Sequence, residues 1–329
     1  MDNILEVTNL KVEFSMQNHT IYAVNDISYN LASGEILGVV GESGSGKSVS
    51  AMSILRLIAI PPGKIKSGKI IFNNQDLLTI PIEELRKIRG NDISMIYQDP
   101  MTTFNPVLKI GKQLSESLII HKGYDSLKAR REVVDLLNLV GIPNAEKRID
   151  DYPYQFSGGM RQRALIAMAL TCQPKILIAD EPTTALDVTI QAQIINLIKK
   201  LKKQYNMSII WISHDLGVIA GLADRVIVMY GGFIVEEAPA TLIYRDPLHP
   251  YTHGLLRSIV KSENKNKKEL LYSINGNPPI ITEEPDYCPF YPRCAYATQI
   301  CSKENPKLVS TAKNRRVACW NAEEIVYDK

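Results

Sequence analysis

The pattern of apolar and polar positions changes along the chain and predicts a mixed α/β fold. Short β-like stretches dominate the first hundred residues. From about residue 108 to residue 172 the apolar period is helical, with Val133 and Leu137 on one face and Gly141 as a stop signal. Beyond it, three stretches are apolar at nearly every position, which is typical of strands that helices cover on both faces. The predicted strands are residues 5–7, 11–14, 27–31, 36–40, 69–72, 93–97, 176–179, 208–212 and 226–229.

A glycine-rich stretch directly follows the predicted strand 36–40. Residues 41–48 fit the pattern G-x-x-x-x-G-K-S and lead into a helix-like segment, which is the context that a phosphate loop requires. The glycines let successive N–H groups face a polyphosphate, Lys47 would reach the β- and γ-phosphates, and the Ser48 hydroxyl would bind Mg²⁺. The motif predicts binding of a nucleoside triphosphate. The residues expected at the nucleotide are Gly41, Ser43, Gly44, Ser45, Gly46, Lys47, Ser48 and Val49.

Composition narrows the class of protein. The 329 residues allow about two domains, and 45% hydrophobic with 22% charged residues is typical of a globular protein. A net charge of +3 is too small to indicate nucleic acid as the main partner. The chain has no run of about 18 apolar residues, and its acidic N-terminus is unlike a signal peptide. We therefore expect a cytosolic chain, whose five cysteines are thiols or metal ligands rather than disulfides.

Two further motifs carry candidate chemistry. The apolar strand 176–179 ends in Asp180 and Glu181, a pair suited to holding Mg²⁺ and to accepting a proton from an attacking water. Ser157-Gly158-Gly159 opens a helix-like segment, which is a second arrangement that favours anions. The presence of two such helix starts in one chain is explained if, in a dimer, one helix start from each subunit binds the same nucleotide.

These motifs, together with Gln98, Asp187 and His214, resemble an ABC-type ATPase in their order and spacing over residues 4 to about 245. The resemblance implies a RecA-like α/β core, an N-terminal antiparallel β-subdomain and a helical subdomain at about 100–172. It implies that Gln98 contacts Mg²⁺ and the attacking water, that His214 contacts the γ-phosphate and that Asp187 lies at a dimer interface. The implied Mg²⁺ ligands are Ser48, Gln98 and Asp180, and the implied signature, acting across the dimer, is Ser157, Gly158, Gly159 and Met160.

Two features depart from the common form of that family. Phe14 stands where a tyrosine usually stacks on adenine, and Tyr22 is the alternative; we favour Phe14, because any aromatic face can stack on a base. In the signature, Phe156 replaces leucine and Met160 replaces glutamine. Methionine cannot make the hydrogen bonds of the glutamine amide.

Segments 23–28, 98–106 and 249–256 resemble the ATP-binding subunits of dipeptide and oligopeptide importers. That resemblance implies two transmembrane permease subunits, a second homologous ATP-binding subunit in a heterodimer (a homodimer being the alternative), and indirectly an extracytoplasmic peptide-binding protein. It places the chain peripherally on the cytoplasmic face of the membrane and implies no nucleic acid. An importer of nickel or another small solute, or a soluble ABC ATPase acting on nucleic acid or ribosomes, remains an alternative.

The C-terminal tail contains Cys288, Cys294, Cys301 and Cys319 in the spacing C-x5-C-x6-C-x17-C. Four cysteines so close together suggest thiolate ligation, and the paired C-x2-C knuckles common in zinc sites are missing. The importer resemblance implies a [4Fe-4S] cluster, with Zn²⁺ or free thiols as alternatives. We expect a nucleotide-binding domain at 1–250 and a C-terminal extension at 251–329, with a solvated linker near 261–268.

Overall fold

The computed structural model describes residues 2–98, 103–184, 187–259, 272–311 and 315–325. The predicted linker at 261–268, Ala185 and Leu186, and residues 99–102 of the segment 98–106 lie outside the described residues. The chain divides into two compact units, of which the first is Met1–Leu78 with Trp211–Lys329 and the second is Thr79–Ile210. The C-terminal extension therefore belongs to the same unit as the N-terminal strands, while the domain boundary at 250 stays a prediction.

The first unit begins with an antiparallel sheet of four strands, β1 Asn3–Ser15, β2 Thr20–Ala32, β4 Gly63–Phe72 and β5 Gln75–Asp76, in the order β2-β1-β4-β5. Strand β1 joins the predicted strands 5–7 and 11–14, and its register against β2 shifts between Val7 and Leu10, where Asn9 has a φ of 47°. Asparagine tolerates this left-handed conformation, so the strand continues past the irregularity.

A second group of strands in the first unit supports the phosphate loop. The fully buried β3, Ile36–Val40, pairs in parallel with β9, Arg225–Tyr230, and β9 pairs antiparallel with β10, Phe233–Pro239. The extension adds β12, Arg315–Val317, to β10 and β11, Val309–Thr311, to β12. The sequence pattern does not predict these two strands, because each is only three residues long. The helices of this unit are Lys47–Ile54, Leu216–Ala220, Ala240–Arg245 and Pro250–Arg257, with 3-10 turns at Tyr291–Arg293 and Gln299–Ser302.

The second unit contains the predicted helical region. Its strand β6, Ile93–Ile96, pairs in parallel with the fully buried β7, Ile176–Asp180. Strand β8, Ser208–Ser213, begins in this unit and is buried along its whole length. The helices are Ile82–Ile88, Ile110–Lys122, Ser126–Leu139, Ala145–Arg148, Gly158–Leu170 and Val188–Tyr205, with a 3-10 turn at Pro153–Gln155.

The α/β fold class, the β-subdomain and the helical region are thereby confirmed. The longest helix, Val188–Tyr205, begins earlier than the predicted segment 190–201, because the Asp187 carboxylate accepts a hydrogen bond from the Ile190 N–H at 2.9 Å. It ends at Asn206, which adopts the left-handed conformation common at helix C-termini. Among the described residues, no helix combines the length and apolar character needed to cross a membrane.

Candidate active site

The phosphate loop connects the end of β3 to the helix Lys47–Ile54 in the first unit. Two of its glycines are sterically required. Gly41 has a φ of +152°, and a Cβ there would lie 2.2 Å from the carbonyl oxygen of Met229; Gly46 has a φ of +94°, and a Cβ would lie 2.4 Å from the carbonyl oxygen of Ala23. Any larger residue would force the loop to move. The loop thus closes tightly on neighbouring backbone while Ser43 and Gly44 stay exposed.

Lys47 is 5% exposed and is held by the loop itself. Its Nζ donates to the carbonyl oxygens of Gly41 and Glu42, both at 2.8 Å, and to Ser45 Oγ at 3.3 Å. Ser48 and Val49 follow in the first helical turn and are half-buried. No side chain caps this helix start. The loop therefore presents an ammonium group and the N–H groups of a helix N-terminus, which together suit a polyphosphate.

The candidate magnesium and water-activating residues belong to the second unit. Asp180 ends β7 and is 5% exposed. The next residue, Glu181, has a φ of 48°, an uncommon conformation for a non-glycine residue. Its Oε2 accepts hydrogen bonds from Gln98 Nε2 at 3.1 Å and from Thr184 Oγ1 at 3.0 Å. The structure thus brings Gln98 and Glu181 together and orients the Glu181 carboxylate.

The signature segment also lies in the second unit, at the start of the helix Gly158–Leu170. Ser157 caps this helix, since its Oγ accepts from the Met160 N–H at 3.4 Å. Gly158 is exposed and a Cβ there would meet nothing within 4 Å, so packing does not account for this glycine. Further along, Gln162 is 1% exposed and its Nε2 donates to the Pro182 carbonyl oxygen at 2.5 Å. The signature helix is thereby tied to the residue that follows Glu181.

The remaining candidate residues occupy exposed or half-buried positions. Asp187 is an exposed helix cap, and His214 is exposed directly after β8. Phe14 pairs with Ile21 in the β1–β2 register, whereas Tyr22 pairs with Glu13. Phe14 and Tyr22 therefore lie on opposite faces of the hairpin, and only one of them can stack on a given base.

The four tail cysteines line one small cavity, together with the rings of Phe290 and Trp320. Backbone N–H groups hydrogen-bond the thiols of Cys288, Cys294 and Cys319, an arrangement that favours thiolates. Burial outweighs this effect and raises the pKa of Cys288 to about 11 and that of Cys319 to about 12. The described residues contain no group of three or more His, Cys, Asp or Glu side chains already arranged to hold a metal ion. Sulfur ligands of this kind suit a thiolate-bound metal centre. The four cysteines line the same cavity, but they are not already arranged around a metal position.

Comparison with known proteins adds independent evidence. The ABC transporter family matches residues 24–184, and the C-terminal region of the oligopeptide/dipeptide transporter family matches residues 235–301. The oligopeptide transport ATP-binding protein OppD of Haemophilus influenzae is 49% identical, over 98% of this chain and 99% of its own length. The chain belongs to the ABC transporter family. The dipeptide transport ATP-binding protein DppD of Bacillus subtilis is similarly close, at 48% identity over 97% of this chain and 95% of its own.

Solved structures agree with this assignment. The ATP-binding cassette MJ0796, solved as a post-hydrolysis dimer with ADP and phosphate bound, aligns with a TM-score of 0.65 and 27% identity, over 72% of this chain and 98% of that one. The chain is therefore an ABC ATPase with the cassette fold, and ATP with Mg²⁺ is its expected nucleotide. The roles of its individual residues stay predictions.

Three contacts of this ABC ATPase were missed from sequence. Gln162 is a polar residue on the buried side of the signature helix, a signal that periodicity could have shown. Tyr251 lies in the importer-like segment 249–256, and its hydroxyl accepts a hydrogen bond from the Glu42 N–H of the phosphate loop. Arg293 precedes Cys294 and pairs with Glu42; nothing in the local sequence indicates a contact 251 residues away.

Proposed function

We propose that this chain is the ATP-hydrolysing motor subunit of an ABC importer for dipeptides or oligopeptides. The observation that carries this proposal is the extent of the similarity to oligopeptide and dipeptide transport proteins. It covers nearly the full length of the chain, and a family specific to such transporters matches the C-terminal region. If the chain shared only an ABC cassette with transporters of other solutes, the similarity would extend over the first 245 residues but not over the extension.

In the proposed reaction, Lys47 binds the β- and γ-phosphates while the N–H groups of the loop surround them. Ser48, Gln98 and Asp180 would hold Mg²⁺, which would neutralise charge on the phosphates. Glu181 accepts a proton from the attacking water, and His214 contacts the γ-phosphate. The hydrogen bonds from Gln98 and Thr184 to Glu181 Oε2 support this role, because they fix the carboxylate that must receive the proton.

We further propose that hydrolysis requires two ATP-binding subunits. The residues Ser157 to Met160 of one subunit would contact the nucleotide held by the phosphate loop of the other, with Asp187 near the interface. The exposure of Ser157, Gly158 and Asp187 supports this arrangement, since a residue must be accessible to contact a second chain. The partner would be a second, related ATPase rather than another copy of this chain.

The ATPase pair would bind two transmembrane permeases from the cytoplasmic face of the membrane, and peptide would arrive through an extracytoplasmic binding protein. Within the extension, Cys288, Cys294, Cys301 and Cys319 would hold a [4Fe-4S] cluster, with Zn²⁺ as the alternative. The shared cavity and the N–H groups directed at three thiols support a thiolate-bound centre.

Reconstitution tests the proposal. The chain, its partner ATPase and the co-purifying permeases are placed in liposomes, and ATP hydrolysis is measured with peptide-loaded binding protein or with Ni²⁺. We expect peptide to stimulate hydrolysis severalfold and Glu181→Gln to remove the stimulation. Stimulation by Ni²⁺ alone would indicate a nickel importer. Co-purification with ribosomes or nucleic acid in place of permeases would indicate a soluble ABC ATPase.

A further inference from the structure

Glu42, the second residue of the phosphate loop, is held by two residues from the C-terminal part of the first unit. Its backbone N–H donates to the Tyr251 hydroxyl at 2.8 Å, and its carboxylate accepts from Arg293 Nη1 at 2.6 Å and Nη2 at 3.0 Å. Its carbonyl oxygen accepts from Lys47 Nζ at 2.8 Å. Every polar group of Glu42, in the backbone and in the side chain, therefore takes part in a hydrogen bond.

Arg293 is well suited to this role. Its side chain is 6% exposed, and all five of its N–H groups have an acceptor. Besides the two bonds to Glu42, Nη1 donates to the Tyr230 hydroxyl at 3.3 Å, Nε to the carbonyl of Asn275 at 2.9 Å and Nη2 to that of Ile274 at 3.2 Å. A guanidinium fixed at every donor presents a rigid fork to the carboxylate, and such bidentate pairs are stronger than single bonds.

Tyr251 is fixed by packing. It is fully buried, and its ring lies 4.6 Å from that of Tyr230 and 5.4 Å from that of Phe290, centroid to centroid. Phe290 follows Cys288 by two residues and also contacts Tyr230 edge-on at 5.1 Å. The aromatic cluster of Tyr230, Tyr251 and Phe290 thus links the extension to the residues that hold Glu42.

We propose that Arg293 and Tyr251 are positioning residues for the phosphate loop, and that through them the C-terminal extension sets the affinity for nucleotide. Glu42 lies between Gly41, which closes against β9, and the exposed Ser43. Holding Glu42 fixes the carbonyl oxygens that bind Lys47 and, with them, the direction of its ammonium group. Neither residue touches the nucleotide in this proposal; each acts through Glu42. The alternative is that the pair only attaches the extension to the rest of the unit.

Titration calorimetry of the purified full-length chain with Mg-ATP separates these possibilities. We expect Arg293→Gln to weaken ATP binding about tenfold and Arg293→Lys to recover part of the loss, because lysine restores the charge without the fork. The double variant Arg293→Gln with Glu42→Gln should bind ATP about as weakly as either single variant, because each substitution removes the same ion pair. In steady-state assays the KM for ATP should rise while kcat stays close to wild type.

Arg316→Gln is the matched control. Arg316 belongs to the extension and pairs with Glu237, away from the phosphate loop. We expect it to lower the melting temperature and to leave ATP affinity within about twofold of wild type. If Arg293→Gln and Arg316→Gln both change the melting temperature and neither changes ATP affinity, the pair only attaches the extension and the proposal is wrong.

Should Arg293→Gln fail to fold, Tyr251→Phe decides, because it removes one hydroxyl and keeps the buried ring. Weaker ATP binding by a few fold supports positioning through Glu42, and unchanged affinity contradicts it. The wild-type titration separately tests whether the phosphate loop binds ATP at all, so failure of that assignment is distinguishable from failure of this proposal.

Discussion

The side-chain amide of Gln98 donates a hydrogen bond to the Glu181 carboxylate across 3.1 Å, and the Thr184 hydroxyl donates to the same oxygen across 3.0 Å. Oε2 therefore already has two hydrogen-bond donors, which fix the orientation of the carboxylate. Glu181 adopts its left-handed φ of 48° at the end of a buried strand. This backbone conformation, beside oriented polar groups, supports the proposed catalytic role of Glu181.

The first prediction concerns Glu181→Gln. The substitution keeps the shape of the side chain and removes its ability to accept a proton, so we expect kcat for ATP hydrolysis to fall at least about a hundredfold. ATP affinity should stay close to wild type, and the ATP-bound dimer should accumulate. Glu84→Gln, at an exposed position of the helix Ile82–Ile88, is the control and should leave both quantities unchanged. Hydrolysis near the wild-type rate would show that Glu181 is not the general base.

Lys47→Ala should act on binding instead of turnover. The substitution removes the ammonium group expected at the phosphates and its hydrogen bonds to the carbonyl oxygens of Gly41 and Glu42. We expect ATP affinity, measured by calorimetry, to fall by about a hundredfold or more, since a charge-assisted contact to phosphate is lost. Lys87→Ala, an exposed lysine paired with Glu84, serves as the control. ATP affinity within twofold of wild type would contradict the assigned role of Lys47.

Gln162→Ala tests the link between the signature helix and the segment after Glu181. Removing the amide leaves the Pro182 carbonyl without this buried donor, which costs about 1–3 kcal/mol of unfolding free energy. Because Pro182 follows Glu181, we also expect a lower kcat with little change in ATP affinity. Gln193→Ala, an exposed glutamine bonded to Arg163, is the control. A change in stability without any change in kcat would limit Gln162 to a structural role.

The sequence predicted the strands and helices well, because these depend on local pattern; the roles of the ATP-site residues stay predictions. The apolar strand before Gly41 and the one before Asp180 are short-range signals, and the structure forms both strands. The contacts of Arg293 and Tyr251 could not be predicted in this way, since they join residues more than 200 positions apart. Likewise, residues 315–317 become a strand because β10 offers an edge for pairing.

Acid should destabilise the first unit through His249. Burial lowers the pKa of His249 to about 3, and its Nδ1 accepts a hydrogen bond from the Tyr251 N–H at 3.1 Å, which requires a neutral ring. In the unfolded chain the pKa of this histidine is near 6.5. The lower pKa in the folded state therefore stabilises the fold at pH values above 6.5. The unfolding free energy should therefore fall by about 1.4 kcal/mol per pH unit below that point.

Melting temperatures between pH 7.5 and 4 measure this effect. His249→Asn keeps an acceptor for the Tyr251 N–H and removes the titrating ring, so its stability should depend less on pH over that range. His19→Asn, at an exposed position, should retain the wild-type pH dependence. Equal slopes for the wild type and His249→Asn would rule out His249 as the source.

The last prediction concerns the four cysteines of the extension. Burial raises the pKa of Cys288 to about 11 and that of Cys319 to about 12, so without a metal these thiols are protonated at neutral pH. Raised thiol pKa values stabilise the metal-free fold below the unfolded value near 8.5, and that stability should be lost as pH rises toward 12. Metal binding requires thiolates and releases these protons, so metal affinity should instead increase with pH.

Protein purified without oxygen should be brown and contain about four irons and four sulfides per chain. Cys301→Ser should abolish the metal, whereas Cys172→Ser, which alters a buried cysteine of the second unit, should keep it. Stoichiometric zinc without iron would show that the site binds Zn²⁺ and not a [4Fe-4S] cluster. Metal retained in Cys301→Ser would contradict the proposed set of four cysteine ligands. Since Arg293 precedes Cys294, loss of the metal should also weaken ATP binding if the extension positions Glu42. If loss of the metal unfolds the extension and ATP affinity is unchanged, the metal site does not influence the phosphate loop.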